Sequence, residues 1–201
     1  MTASHPQSGA ARDELDRARS EQYRFLSVLL FAAPDTERLS AIGGLQGDES
    51  ALGQAFSGLA AAARATDAAQ VAAEFFELFV GVGRGEILPY ASFYQTGFLN
   101  ERPLAELRGD LAALGVARAP GRYEPEDHIA LVFEVMADMA CGSLPVTPAQ
   151  EAAFFGRHIA PWVAQFFDDL TLAPSARFYR SVAEIGRLLV DIEARAFQLA
   201  A

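Results

Sequence analysis

Pro125-Glu126-Asp127-His128-Ile129-Ala130-Leu131-Val132-Phe133-Glu134-Val135-Met136-Ala137-Asp138-Met139-Ala140 decides the fold class. Ile129, Val132, Phe133, Met136 and Met139 recur at intervals of three and four. That interval makes one apolar stripe along a helix, whereas a half-buried strand would alternate. Pro125, with its fixed φ and no N–H, is expected to open this helix. Glu126 and Asp127 then fall in the first turn, where unpaired backbone N–H groups favour carboxylates.

The same period continues outward on both sides. Thr147-Pro148-Ala149-Gln150 has the form of a capping box with proline at the first helical position. The helix it starts carries Phe154, Phe155, His158, Ile159, Trp162, Phe166 and Phe167, and Pro161 is expected to kink or break it. A last helix from about residue 175 repeats at Phe178, Val182, Ile185, Leu189 and Ile192. Toward the N-terminus, Pro103 begins a helix with Leu104, Leu107, Leu111 and Leu114, closed by Gly115. Asp67 reads as the N-cap of a helix reaching Phe79. Further helices are expected over 49–65 (Leu52, Phe56, Leu59, Ala63), over 35–42, and from Asp13 through Leu15, Ala18, Tyr23, Leu26, Leu29 and Leu30 to Pro34. Residues 81–90 and 116–123 break the period and read as loops. No segment shows period-two alternation, sustained heptads or a long repeat. The expectation is an all-α chain: a disordered tail over residues 1–11, then one globular multi-helix domain over 12–201 of about eight to ten helices.

Composition narrows the function classes. Of 201 residues 51% are hydrophobic, which suits a folded core. The 16 basic residues are all arginine and face 26 acidic ones, a net charge of −10. That balance argues against nucleic-acid partners and anionic membranes and suits a basic partner. The apolar run Phe25–Ala33 follows Asp13, Glu14, Asp16 and Glu21, so it lacks the positive flank of an export signal. No run approaches the roughly 18–20 residues of a membrane span. The single cysteine, Cys141, excludes an internal disulfide and fits a reducing compartment.

Several chemistries lack their residues. Gly81, Gly83 and Gly85 resemble a phosphate loop, but the chain has no lysine to reach a phosphate and no strand precedes them. Three histidines and one cysteine give no zinc spacing, and no serine-hydrolase elbow is present. Neither catalytic nor metal-binding residues are expected.

Two stretches carry a resemblance. Phe75-Phe76-Glu77-Leu78-Phe79-Val80-Gly81 leads to Pro89-Tyr90-Ala91-Ser92-Phe93-Tyr94, and Glu124-Pro125-Glu126-Asp127-His128 follows. In order and spacing they resemble the signatures of the TorD/DmsD family of molybdoenzyme maturation chaperones. His158-Ile159-Ala160-Pro161-Trp162 is similar to a further element of that family. The resemblance spans about residues 12–195. It implies a helical cytoplasmic chaperone that binds the twin-arginine signal peptide and the apo-form of a molybdopterin-dependent oxidoreductase, holding it for cofactor insertion before export. It also implies a monomer or domain-swapped homodimer, no required cofactor, and weak guanine-nucleotide binding as in some relatives. The residues it points to are Phe75, Leu78, Phe79, Pro89, Tyr90, Ser92, Tyr94, Glu124, Pro125, Glu126, Asp127 and His128. Tyr90 and Phe75 stand where some relatives carry tryptophan, which leaves affinity and client preference open.

The chemistry is compatible with that role. Glu124, Glu126 and Asp127 would receive guanidinium groups, and Phe75, Phe79, Tyr90 and Tyr94 would supply apolar and stacking surface. On that reading Asp127→Ala or Tyr90→Ala weakens leader binding with little loss of stability. Each residue also has a structural alternative: Asp127 as a capping group, His128 as a hydrogen-bonded loop anchor, Ser92 and Tyr94 as cap and packing, Phe75 and Phe79 as core. At the level of function, two alternatives stand beside the chaperone. One is a helical adaptor or dimer scaffold without leader binding. The other is a small hydrolase using Asp127 and His128, although neighbours on a helix point about 100° apart.

Overall fold

The computed structural model describes residues 6–118, 121 and 123–200. Its α-helices are α1 Pro6–Phe31, α2 Thr36–Gly43, α3 Ala51–Arg64, α4 Ala68–Phe75, α5 Ala91–Thr96, α6 Arg102–Ala113, α7 Ile129–Ala140, α8 Pro148–His158, α9 Val163–Leu172 and α10 Phe178–Ala200. One π-helical turn, Phe76–Val80, continues α4. The all-α expectation holds among the described residues, where the only β pairing is an isolated bridge between Tyr90 and His128.

α1 packs along α7, α10 lies across α9 and α3, and α2 rests on α3. Tyr23, Leu26 and Leu30 of α1 meet Phe133 and Met136 of α7 in one core with Phe166, Phe167 and Leu170 of α9 and Val182 and Leu189 of α10. Two serines stitch the α1–α7 contact. The hydroxyls of Ser20 and Ser27 donate to the carbonyls of Ala137 (2.8 Å) and Ala130 (2.7 Å), so buried polar groups are satisfied at the centre. Gly186 sets the closeness of α10 to α9, since a methyl there would lie 2.1 Å from the Phe167 ring.

A charged cluster ties α1 to α8 and α10. The Arg19 guanidinium donates to both Glu193 oxygens at 2.7 Å and to Glu151 at 2.7 Å, and the Tyr23 hydroxyl donates to Glu193 at 3.1 Å. Glu193 is 1% exposed. Paired this densely, the charges offset much of the desolvation that burial imposes.

Local rules account for most boundaries. Asp35, Ser50, Asp67 and Thr147 cap α2, α3, α4 and α8, and Thr147 and Gln150 complete the capping box. Leu114 takes the α6 C-cap position, and Gly115 closes the helix one place later, left-handed at φ 74°. Pro161 separates α8 from α9, as its missing N–H requires. At this break the Trp162 indole N–H donates to the carbonyl of His158 at 2.7 Å. His158 and Trp162 are both buried.

Three boundaries differ from expectation. The backbone is helical from Pro6, ahead of Asp13, so the expected tail is helical over 6–11, and residues 1–5 lie outside the described residues. Leu15 and Ala18 are exposed, and the buried stripe of α1 begins at Ser20. Pro125 does not open α7; its carbonyl accepts from His128 N–H (3.1 Å) in a turn, and α7 starts at Ile129. No helix among the described residues is long and apolar enough to cross a membrane.

Candidate functional site

The two signature loops meet. Ala91 N–H donates to the Asp127 carbonyl (3.0 Å) and Ile129 N–H to the Pro89 carbonyl (2.9 Å), forming the bridge at Tyr90 and His128. The bridge sorts the neighbouring side chains. Asp127 points inward and is fully buried, and its Oδ2 accepts from Ser92 N–H at 2.8 Å, in the first turn of α5. Asp127 was expected in the first turn of α7, either as a guanidinium acceptor or as a capping group. The turn at Pro125 instead buries it under α5 and makes it that helix's cap. Ser92 is buried beside it, and Pro89 is buried behind the bridge.

His128 is the N-cap of α7, its Nδ1 accepting from Ala130 N–H at 3.2 Å. Its ring meets Tyr90 at 5.2 Å and Phe31 at 6.1 Å, both edge to face. Burial pushes its pKa down to about 4 from the ordinary 6.5. The unfolded chain therefore binds a proton first, so this contribution to stability is complete above about pH 6.5 and lost as pH falls toward 4. Between pH 7 and 5, urea unfolding of the wild type should lose about 2 kcal/mol more than that of His128→Asn, which caps without titrating. Equal losses would mean that His128 does not carry this pH dependence.

Tyr90 faces outward, half-buried, and its hydroxyl donates to the Glu124 carboxylate. Burial, then this bond, pushes the Tyr90 hydroxyl well above its ordinary pKa. Glu126 is held by Arg118 through two bonds, Nε at 3.0 Å and Nη2 at 2.8 Å, and by Arg108 Nε at 2.8 Å. Although burial opposes it, these arginines hold the Glu126 carboxyl below its usual range.

Glu124 and Glu126 edge a groove of about 210 Å³. Leu111, Val116, Leu131 and Val135 give its apolar lining, and Glu134 and Asp138 add two more carboxylates. Apart from Leu111, read only as part of a helix stripe, these residues were not singled out from sequence. The signal was present, because positions 131, 134, 135 and 138 are the outward face of α7 at helical spacing. A larger cavity of about 720 Å³ lies among α3, α4 and the start of α10. Its Glu74 already caps α10 through the N–H groups of Arg177, Phe178 and Tyr179. Of the signature stretches only Glu77 reaches it, so the smaller groove is the better candidate.

The remaining signature residues brace the frame. Leu78 is fully buried, and the rings of Phe75 and Phe79 contact each other (5.0 Å) and Tyr179 of α10 (5.8 and 5.5 Å). Tyr94 packs on Trp162 at 5.5 Å and on Phe166 at 6.0 Å. Burial and the Asp169 carboxylate push its hydroxyl above the ordinary pKa. Pro125 is half-buried in the turn. The glycines of the 81–85 loop serve geometry: Gly81 takes φ 60° at the end of the π turn, and a side chain at Gly85 would strike the Leu78 and Phe79 backbone at 2.6 Å.

Comparison with known proteins agrees with this frame. The family described as nitrate reductase delta subunit matches residues 45–168, which include both signature loops. Chaperone protein TorD of Vibrio cholerae is 28% identical over 131 residues, 61% of this chain and 60% of the relative. TorD of Vibrio parahaemolyticus is 30% identical over 126 residues, 58% and 59% respectively. The chain thus spans about 60% of the length of these relatives, which are chaperones by name rather than enzymes. A crystal structure from Archaeoglobus fulgidus, described as a candidate redox enzyme maturation protein, shares the fold with a TM-score of 0.59 at 17% identity, covering 95% of this chain and 97% of that one. The resemblance read from the loops is borne out: the chain belongs to the TorD-type, nitrate reductase delta subunit family.

Proposed function

We propose that this protein is a cytoplasmic maturation chaperone for the precursor of a molybdopterin-dependent oxidoreductase, and that it holds the precursor through its twin-arginine leader until the cofactor is in place. The observation that carries the reading is the groove beside the joined loops, where carboxylates surround an apolar lining. A twin-arginine leader presents two guanidinium groups followed by an apolar stretch. Glu124, oriented by Tyr90, offers a charge-assisted acceptor for a guanidinium. Leu111, Val116, Leu131 and Val135 offer the apolar surface beside it. The net charge of −10 favours encounter with a basic segment.

A labelled leader peptide titrated by fluorescence anisotropy tests this. Binding is expected to weaken roughly tenfold in Glu124→Gln, the loss of one charge-assisted bond, and by less in Tyr90→Phe, which only frees Glu124. A peptide with two lysines in place of the arginines should bind more weakly, because ammonium groups cannot form the bidentate fork. A wild-type protein that binds a folded oxidoreductase but ignores the leader would support the adaptor instead.

A further inference from the structure

We propose that Arg108 and Arg118 are resident occupants of the leader site, holding Glu126 until an incoming arginine displaces them. The inference rests on the reading of the groove as a leader site. Arg118 grips both Glu126 oxygens in the two-bond fork that a guest arginine would use, and Arg108 adds a third bond. The carboxylate is the fixed partner. Its side chain is 18% exposed, against 50% for Arg108 and 37% for Arg118. The arginines can therefore swing into water while Glu126 stays in place.

Charge makes the exchange nearly even. Four carboxylates and the Arg118 guanidinium line the groove. Of these carboxylates, Asp138 already pairs with Arg24 at 2.5 Å. A guest arginine at Glu126 forms a new ion pair where the two resident ones stood and releases solvated guanidinium groups, so Glu126 never stands uncompensated at the groove edge. The resident pair thus lowers affinity for any arginine-bearing segment and selects those that bring apolar surface as well. Because an ion pair is exchanged rather than created, salt should weaken wild-type binding less than it weakens binding to a protein without the resident arginines.

The test titrates the labelled two-arginine leader peptide against wild type, Arg108→Gln/Arg118→Gln and Glu126→Gln at two salt concentrations. The double arginine variant is expected to bind roughly three- to tenfold tighter, since no resident competes, and with steeper salt dependence. Glu126→Gln should bind more weakly than wild type. Unchanged or weaker binding by the double variant, with a wild-type melting temperature, overturns the exchange while leaving the leader site standing. Absence of peptide binding to all three proteins removes the leader-site reading and the exchange with it. Amide exchange on the wild type gives a check without variants. Peptide binding should lower protection at residues 116–118 if Arg118 is released, and raised protection there contradicts release.

Discussion

Asp127→Ala is expected to lower folding stability by about 2–3 kcal/mol, a loss of structure before any loss of ligand contact. The carboxylate is fully buried and accepts the Ser92 N–H at 2.8 Å. Its own carbonyl accepts from Ala91 N–H in the same turn, so the residue holds the start of α5 at two points. Alanine keeps the second bond and removes the first, leaving a buried donor unpaired and a small void. In a chain of this size the melting temperature should fall by roughly 4–12 °C. Asp127→Asn retains an oxygen at the same place and should lose less than half as much. Any weakening of leader binding in Asp127→Ala should scale with the unfolded fraction and vanish at low temperature. A variant as stable as wild type that no longer binds would give Asp127 the guanidinium-binding role instead of the capping one.

Glu193→Ala should cost more, roughly 2–4 kcal/mol, below the figure for a wholly enclosed pair because Arg19 keeps some contact with solvent. Glu193 receives two bonds from Arg19 and one from Tyr23, and it is the point where α1 and α10 are joined electrostatically. Removing it leaves the Arg19 guanidinium to Glu151 and Asp16 alone and the Tyr23 hydroxyl buried without an acceptor. The double change Arg19→Met/Glu193→Leu should recover much of the loss, because it removes both charges and fills the space. Urea unfolding of wild type, Arg19→Met, Glu193→Leu and the double variant gives the coupling directly. Additive losses would show that the pair contributes no more than its separate contacts.

The helices were legible because their signals are local. The stripe of α7, the capping box at Thr147 and the Asp67 cap each depend on residues within a few positions. The start of α7 was not legible. Pro125 favours a first helical position, but the bridge between Pro89–Ala91 and Asp127–Ile129 holds His128 extended and leaves Pro125 in a turn before it, a pairing across distant positions that no local rule contains. The same bridge explains the mixed outcome at the site. The motifs pointed to the right loops without showing which side chains face out. Tyr90, Glu124 and Glu126 reach the groove side, while Ser92, Asp127 and His128 face the protein interior and hold the loops. Phe75, Leu78, Phe79 and Tyr94 follow the ordinary logic of apolar helical spacing and pack against α10 or the α8–α9 junction. The groove lies on the half-buried face of α7 opposite its apolar stripe, and becomes a groove only where residues 111–118 pack beside it, a contact between distant positions.

The proposed function places a molybdoenzyme precursor on this groove by its leader. The most direct measurement is to purify the tagged protein from its own host, grown with and without oxygen, beside the Tyr90→Phe/Glu124→Gln variant, and to identify what accompanies each by mass spectrometry. One molybdopterin-dependent oxidoreductase precursor with its leader uncleaved should be recovered with the wild type and depleted with the folded variant. Recovery of the mature, leaderless enzyme, or of the same precursor in equal amount with the variant, would contradict it.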